Sequence, residues 1–182
     1  MKNHEFLPVP QERANTWTHL SGAVFALASI WMIWPSARLG WQMALGVAFF
    51  VAGMFLMFLS STLYHWAPKG RVKQALRKCD HISIYVMIAC SYSPICIGVV
   101  GGKVGWIAFA VQWILVLSGT VYKLIALGHL VDEYAHHKVY EYCALACVYA
   151  ATQYAHGSYG AYIHAFLACN ILLQRLFVCR IT

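Results

Sequence analysis

Polar side chains cluster around a short charged segment that joins two apolar stretches of the chain. Ser61 and His65 lie at the end of the first stretch, and Asp80 opens the second. Because Ser61 and His65 are four residues apart, they share one face of a helix. A hydroxyl, an imidazole and a carboxylate can together bind a metal or move a proton, and in hydrocarbon each needs a partner. The segment therefore predicts a candidate site.

The composition indicates the medium in which this site would work. Of 182 residues, 61% are hydrophobic and 10% are charged, whereas a soluble domain carries roughly 25% charged residues. The mean hydropathy is +0.61. The sequence predicts an all-α, polytopic integral membrane helix bundle, with residues 1–182 forming a single transmembrane domain. Its expected partners are membrane lipids, and a homo-oligomer is compatible with the sequence.

The basic residues indicate an orientation rather than a nucleic-acid partner. The net charge is +7, and five of the thirteen Lys and Arg residues lie in a predicted loop at 66–79. Such a loop is typical of the cytoplasmic side, where it meets anionic headgroups. We therefore expect a bacterial inner membrane protein with a cytoplasmic N-terminus. Residues 1–16 are too polar for a cleavable signal peptide, and the seven cysteines form neither a disulfide framework nor a CxxC zinc pair.

Hydropathy predicts six clear membrane spans, each close to the ~20 residues that a helix needs to cross. Their predicted bounds are 17–35, 41–64, 81–100, 104–127, 139–155 and 161–179. We expect Pro35 to end the first span and Pro94 to kink the third. Gly46 and Gly53 are seven residues apart, which predicts a small-residue contact face on the second span.

A second set of polar residues lies at the entrance to the first span. Glu12, Asn15 and His19 are three and four residues apart and share a helix face. They are predicted at the same leaflet as the segment around His65, and this convergence favours a site. Simpler interpretations are that Asp80 caps the third span and that Glu12 neutralises Arg13 or Lys2.

These motifs resemble those of a known family. The pattern E-x-x-N-x-x-x-H begins at Glu12, S-T-L-Y-H ends at His65, and D-H-x-x-I-Y followed by S-Y-S-P runs from Asp80 to Pro94. Together they are similar to the first two signatures of the hemolysin III group, which belongs to the progestin and adipoQ receptor superfamily. The resemblance covers residues 12–94.

The resemblance implies a seven-helix bundle that holds a zinc ion between three histidines. His65 matches the histidine of the second helix, and Ser61 and Asp80 match the residues around the zinc-bound water. The other two ligands would form an H-x-x-x-H pair early in the last helix. Some relatives hydrolyse the amide bond of ceramide, whereas others are called hemolysins or receptors.

The sequence departs from this pattern in its C-terminal half. His164 fits the second histidine of the pair, but Gly160 stands where the first is expected. His156 lies eight residues before His164, about 12 Å along a continuous helix, so both can bind one ion only if the helix is unwound at 157–160. With six spans rather than seven, His164 would start ~30 Å of hydrocarbon away from His65.

Three functional hypotheses follow. In the first, a zinc-dependent hydrolase cleaves a lipid amide and Asp80 accepts a proton from the attacking water. In the second, the chain is a non-enzymatic pore, transporter or membrane-homeostasis protein with a degenerate metal site. In the third, His19 and His65 contribute to haem ligation in a cytochrome.

Overall fold

The computed structural model describes residues 9–126, with side chains described through residue 121. Every element within this range is helical, as the sequence predicts. The elements are α1 (Val9–Ala28), a 3₁₀ segment (Ser29–Met32), α2 (Ile33–Ala37), α3 (Trp41–Trp66), α4 (Arg71–Ser93), a π-helical segment (Pro94–Val100) and α5 (Gly102–Ala126).

Four helical stretches in this part of the chain are long and apolar enough to cross a membrane. They are Val9–Ala37, Trp41–Trp66, Arg71–Val100 and Gly102–Val121. They correspond to the first four predicted spans, and they confirm a polytopic helix bundle. The spans predicted at 139–155 and 161–179 lie outside the described residues.

The first span begins eight residues earlier than predicted and does not end at Pro35. α1 begins at Val9 and has Pro10 and Glu12 in its first turn. A proline is tolerated there because backbone N–H groups of the first turn have no acceptor within the helix, and an acid complements the helix dipole. Pro35 is the third residue of α2, so its missing N–H falls in a first turn and the helix continues to Ala37.

The loop between the second and third spans is shorter than the predicted basic loop at 66–79. α3 ends at Trp66, and α4 already begins at Arg71 after Gly70, whose φ is 154°. Only residues 67–70 connect the two helices, so most of the basic residues lie on α4. Asp80 is consequently the tenth residue of α4, and the interpretation that it caps this helix is wrong.

The stretch Arg71–Val100 is the central helix of the described bundle. In its most apolar window 61% of the residues are buried, against 17–22% in the other three spans. α3 packs closely on it through two glycines: a Cβ at Gly46 would lie 2.6 Å from Cα of Pro94, and one at Gly53 would collide with Cys90. The small-residue contact face predicted on the second span is therefore confirmed.

The predicted irregularity at Pro94 is a change of helix type. The chain becomes π-helical from Pro94 to Val100 and closes with a hydrogen bond from Gly101 N–H to the Cys96 carbonyl at 3.0 Å. Gly101 and Gly102 then turn the chain with φ near +60°, a conformation that favours glycine. Cys96 and Ile97 are fully buried here and anchor the apolar core at this end of the bundle.

Candidate functional site

Three helices meet at a single carboxylate. The Oε2 atom of Glu12 on α1 lies 2.8 Å from Nδ1 of His65, near the end of α3. Its Oε1 atom lies 3.1 Å from Nζ of Lys73, in the first turn of α4. The Lys73 contact is an ion pair rather than a well-directed hydrogen bond, because no donor among the described residues meets Oε1 in hydrogen-bonding geometry. Glu12 thus bridges α3 and α4.

Lys73 is the most deeply buried member of this cluster, with a side chain only 3% exposed. Its ammonium donates to the backbone carbonyls of Tyr64 at 3.1 Å and Ala67 at 3.2 Å, and it lies 4.9 Å from the centroid of the Tyr64 ring. These carbonyls belong to the C-terminal end of α3, where a helix leaves acceptors without intrahelical donors. A buried lysine needs such partners, so Lys73 secures both Glu12 and the end of α3.

The His65 ring is fixed on several sides. His19 stacks on it with ring centroids 5.4 Å apart and planes 4° from parallel, and the Tyr64 ring lies 4.8 Å away. Because an ionised carboxylate only accepts hydrogen bonds, the contact with Glu12 places the proton of a neutral His65 on Nδ1. Nε2 is then the nitrogen that can bind a metal, and its direction is set by the carboxylate behind the ring.

Ser61 and Asp80 form a second polar pair beside His65. The Ser61 hydroxyl is close enough to the carboxylate of Asp80 to stabilise its ionised form, and His65 lies within electrostatic reach of that carboxylate. Ser61 is buried and Asp80 is half-buried. In the neighbouring contact, Ser60 donates to the hydroxyl of Ser83 at 2.8 Å. Adjacent serines of α3 therefore face α4, and of the two only Ser61 lies next to an ionisable group.

The structure brings together most, but not all, of the residues that the sequence singled out. Those near one another at this end of the bundle are Glu12, His19, Ser61, His65 and Asp80. Asn15 lies on α1 with them, but within residues 9–121 its side chain makes no hydrogen bond to the cluster. The predicted ligands His156 and His164 lie outside the described residues, as does Lys2.

Lys73 is the member of the site that sequence reasoning missed. The sequence predicts Lys73 in the basic loop at 66–79 and offers Arg13 or Lys2 as the partner of Glu12; the structure instead pairs Glu12 with His65 and Lys73. The signal lay in Pro68 and Gly70, which mark a short turn before a new helix. A helix that starts there places Lys73 two turns before Asp80, on the same face.

A cleft of about 710 Å³ opens next to the Glu12 carboxylate. It lies between the start of α1, the end of α3 and the connection to α4. The described residues that line it are Val9, Glu12, Arg13, Thr16, Trp17, His65, Trp66, Ala67, Pro68, Lys69 and Lys73.

The described residues fit one position of a zinc site. His65 has the carboxylate partner that metal-binding histidines usually have, and Ser61 and Asp80 lie nearby. Within residues 9–121 no group of three His, Cys, Asp or Glu side chains could hold a metal ion. A complete site would therefore need ligands from the rest of the chain, where His156 and His164 were predicted.

Comparison with known proteins establishes the family. The family model described as Haemolysin-III related matches residues 8–179. The chain belongs to the hemolysin III family. The match extends well beyond the motifs at 12–94, into the half of the chain where the third signature is incomplete. It confirms the family resemblance found in the sequence and the prediction that the chain is an integral membrane protein.

Two Bacillus proteins are similar to this hemolysin III chain. Hemolysin-3 of Bacillus cereus is 36% identical over 119 residues, which are 64% of this chain and 54% of that protein. The Hemolysin-3 homolog of Bacillus subtilis (strain 168) is 34% identical over 119 residues, with shares of 64% and 55%. The chain thus spans about half the length of the curated relatives it matches. No solved structure matches it.

Proposed function

We propose that this hemolysin III protein is a zinc-dependent membrane hydrolase that cleaves a lipid amide bond of the ceramide type. His65 would be one zinc ligand, and His156 and His164 would be the others. The observation that carries the proposal is the 2.8 Å contact between Glu12 and Nδ1 of His65. A carboxylate that accepts a hydrogen bond from one imidazole nitrogen selects the tautomer of the ring and orients the other nitrogen. Metal-binding histidines usually have such a carboxylate partner.

The charged groups around His65 have separate tasks in this proposal. Glu12 orients His65, and Lys73 holds Glu12 in place through the ion pair at 3.1 Å. When bound, zinc acts as a Lewis acid that polarises a carbonyl and activates water. Asp80 would accept the proton of the attacking water and return it to the leaving amine. The Ser61 hydroxyl would stabilise the ionised carboxylate of Asp80.

The test combines zinc content with hydrolysis of a fluorescent ceramide by the purified protein. We expect Asp80→Asn to retain zinc and to lose at least ~100-fold in rate, the scale of general acid–base catalysis. His65→Ala should lose both zinc and activity. A wild-type protein with less than about half an equivalent of zinc, unaffected by His65→Ala, would remove the proposal, because a catalytic zinc is stoichiometric.

A pore or transporter is the second candidate. It is favoured by the name of the two relatives, Hemolysin-3, and by Gly160 at an expected ligand position. Polar residues inside a membrane bundle can line a path. Ion or dye flux through liposomes that contain the protein, lost in Asp80→Asn and independent of zinc, would support this function instead of hydrolysis.

A further inference from the structure

The His19 ring on α1 packs against α3 at two points. It stacks on His65, with ring centroids 5.4 Å apart and planes 4° from parallel. Its centroid also lies 6.2 Å from that of the Phe58 ring, at a tilt of 42°. Both distances are in the range in which aromatic rings attract each other. Phe58 and His65 are seven residues apart and share a face of α3, so His19 lies on this face beside the proposed zinc ligand.

A close approach of α1 to α3 makes this stacking possible. A Cβ at Gly22 would lie 2.6 Å from the Phe58 ring, which is shorter than a van der Waals contact. The Phe58 ring thus occupies the space that a side chain at position 22 would take. Gly22 follows His19 by three residues and shares its face of α1. The glycine therefore brings α1 near enough to α3 for a flat ring at position 19 to cover His65.

The stacked geometry argues against His19 as a second ligand of the same ion. Imidazole lone pairs lie in the plane of the ring, so two rings in separate parallel planes cannot both direct a nitrogen at one metal. Within residues 9–121, His19 also belongs to no group of three side chains that could hold a metal ion. A parallel ring does restrict rotation of the His65 ring, because turning that ring would bring its edge into the His19 ring.

We propose that His19 is a positioning residue of the zinc site and holds the plane of the His65 ring before zinc binds. The inference rests on the proposed function, because it takes His65 as a zinc ligand. Glu12 sets the tautomer of His65 from the edge of the ring, and His19 sets the plane from its face. A ligand that is already oriented loses less conformational freedom on binding. His19 thus acts through His65 and neither binds the ion nor transfers a proton.

Zinc affinities of His19→Phe and His19→Ala, measured against a competing chelator, test this role. Phenylalanine keeps a flat ring without a nitrogen, so we expect His19→Phe to bind zinc within about twofold of wild type. His19→Ala should bind about 3- to 10-fold more weakly, which corresponds to the loss of one aromatic ring pair. Val24→Ala is the control, since Val24 is 59% exposed on the same helix, and its zinc affinity should not change. If His19→Ala does not fold, His19→Leu replaces it, because leucine fills space without a flat ring.

The motion of the His65 ring in zinc-free protein gives a second readout. It is measured by NMR relaxation at Cε1 of isotope-labelled histidine, with the His65 signal assigned by its loss in His65→Ala. We expect ring motion of larger amplitude in His19→Ala and wild-type motion in His19→Phe. This result, in a protein whose wild type binds no zinc, would support positioning by His19 and remove the proposed hydrolase. The two proposals are therefore tested separately.

Two outcomes would overturn the role of His19. An equal loss of zinc affinity in His19→Phe and His19→Ala would show that a nitrogen of His19 is needed, as for a ligand or a proton carrier. Unchanged motion of the His65 ring in His19→Ala would show that the stacked ring does not hold His65 in place.

Discussion

The two ends of the α3–α4 pair are packed by different physical means. At the charged end, defined by Glu12, His65, Lys73 and Asp80, the helices are joined through ion pairs and hydrogen bonds. At the glycine end, defined by Gly46 and Pro94, the backbones themselves are in contact.

The sequence of each end fits its packing. No charged residue occurs in 41–64 or in 82–102, and the hydrophobic cluster at the glycine end includes Tyr92 and Cys96. Close backbone contact leaves α3 and α4 little freedom to slide or rotate. This packing fixes the position of α3 relative to α4 at the charged end as well. A fixed relative position is required there, because His65 on α3 and Lys73 on α4 both contact the Glu12 carboxylate, at 2.8 and 3.1 Å. The glycine end thus aligns the helices, and the charged end holds the residues of the proposed hydrolysis.

The largest effect should come from removing the carboxylate at the charged end. Glu12→Leu removes the carboxylate 3.1 Å from the buried Lys73 ammonium, which we expect to destabilise the protein by about 3–5 kcal/mol. Thermal unfolding in detergent checks the value. Glu12→Leu/Lys73→Met removes both charges and should recover a large part of the loss, although it also removes the bonds from Lys73 to α3. A double variant as unstable as the sum of both single variants would contradict the coupling.

The next effect concerns the glycine end. Gly46→Leu places a side chain where a Cβ alone meets Pro94 at 2.6 Å, so we expect a loss near the upper end of the ~1–3 kcal/mol typical of overpacking. Ala52→Leu is the control, since Ala52 is exposed on the same helix and should change stability by less than about 0.5 kcal/mol. Unfolding midpoints of the two variants give the comparison. Equal midpoints would show that the backbones are not in contact.

The smallest effect separates the adjacent serines of α3. Ser60→Ala removes the hydrogen bond to Ser83, and Ser61→Ala removes the hydroxyl next to Asp80, so both should cost roughly 0.5–1.5 kcal/mol. Only Ser61→Ala should also slow lipid amide hydrolysis, because only Ser61 contacts Asp80. Unfolding midpoints and hydrolysis rates, measured on the same preparations, test the difference. An equal loss of rate in both variants would assign Ser61 a structural role alone.

Much of the charged end could be predicted from the sequence, because its residues follow helical spacing. Glu12 and His19, and Ser61 and His65, share faces by their three- and four-residue steps, and polar groups in an apolar chain seek each other. The predicted pairings were less accurate. The sequence predicts the start of α4 ten residues too late, since hydropathy measures the apolar part of a helix and overlooks the basic residues of its first three turns. That error concealed Lys73, and with it the reason that Glu12 is held in position.

Zinc titration of the folded protein with and without the Glu12–His65 contact tests the central claim most directly. Wild type, Glu12→Gln and His65→Ala would be purified as folded monodisperse samples and titrated against a competing chelator. The account predicts about one zinc per chain in wild type, about 10- to 100-fold weaker binding in Glu12→Gln, and no comparable site in His65→Ala. Zinc binding of equal affinity in all three proteins would contradict it, because the charged end would then hold helices together without holding a metal.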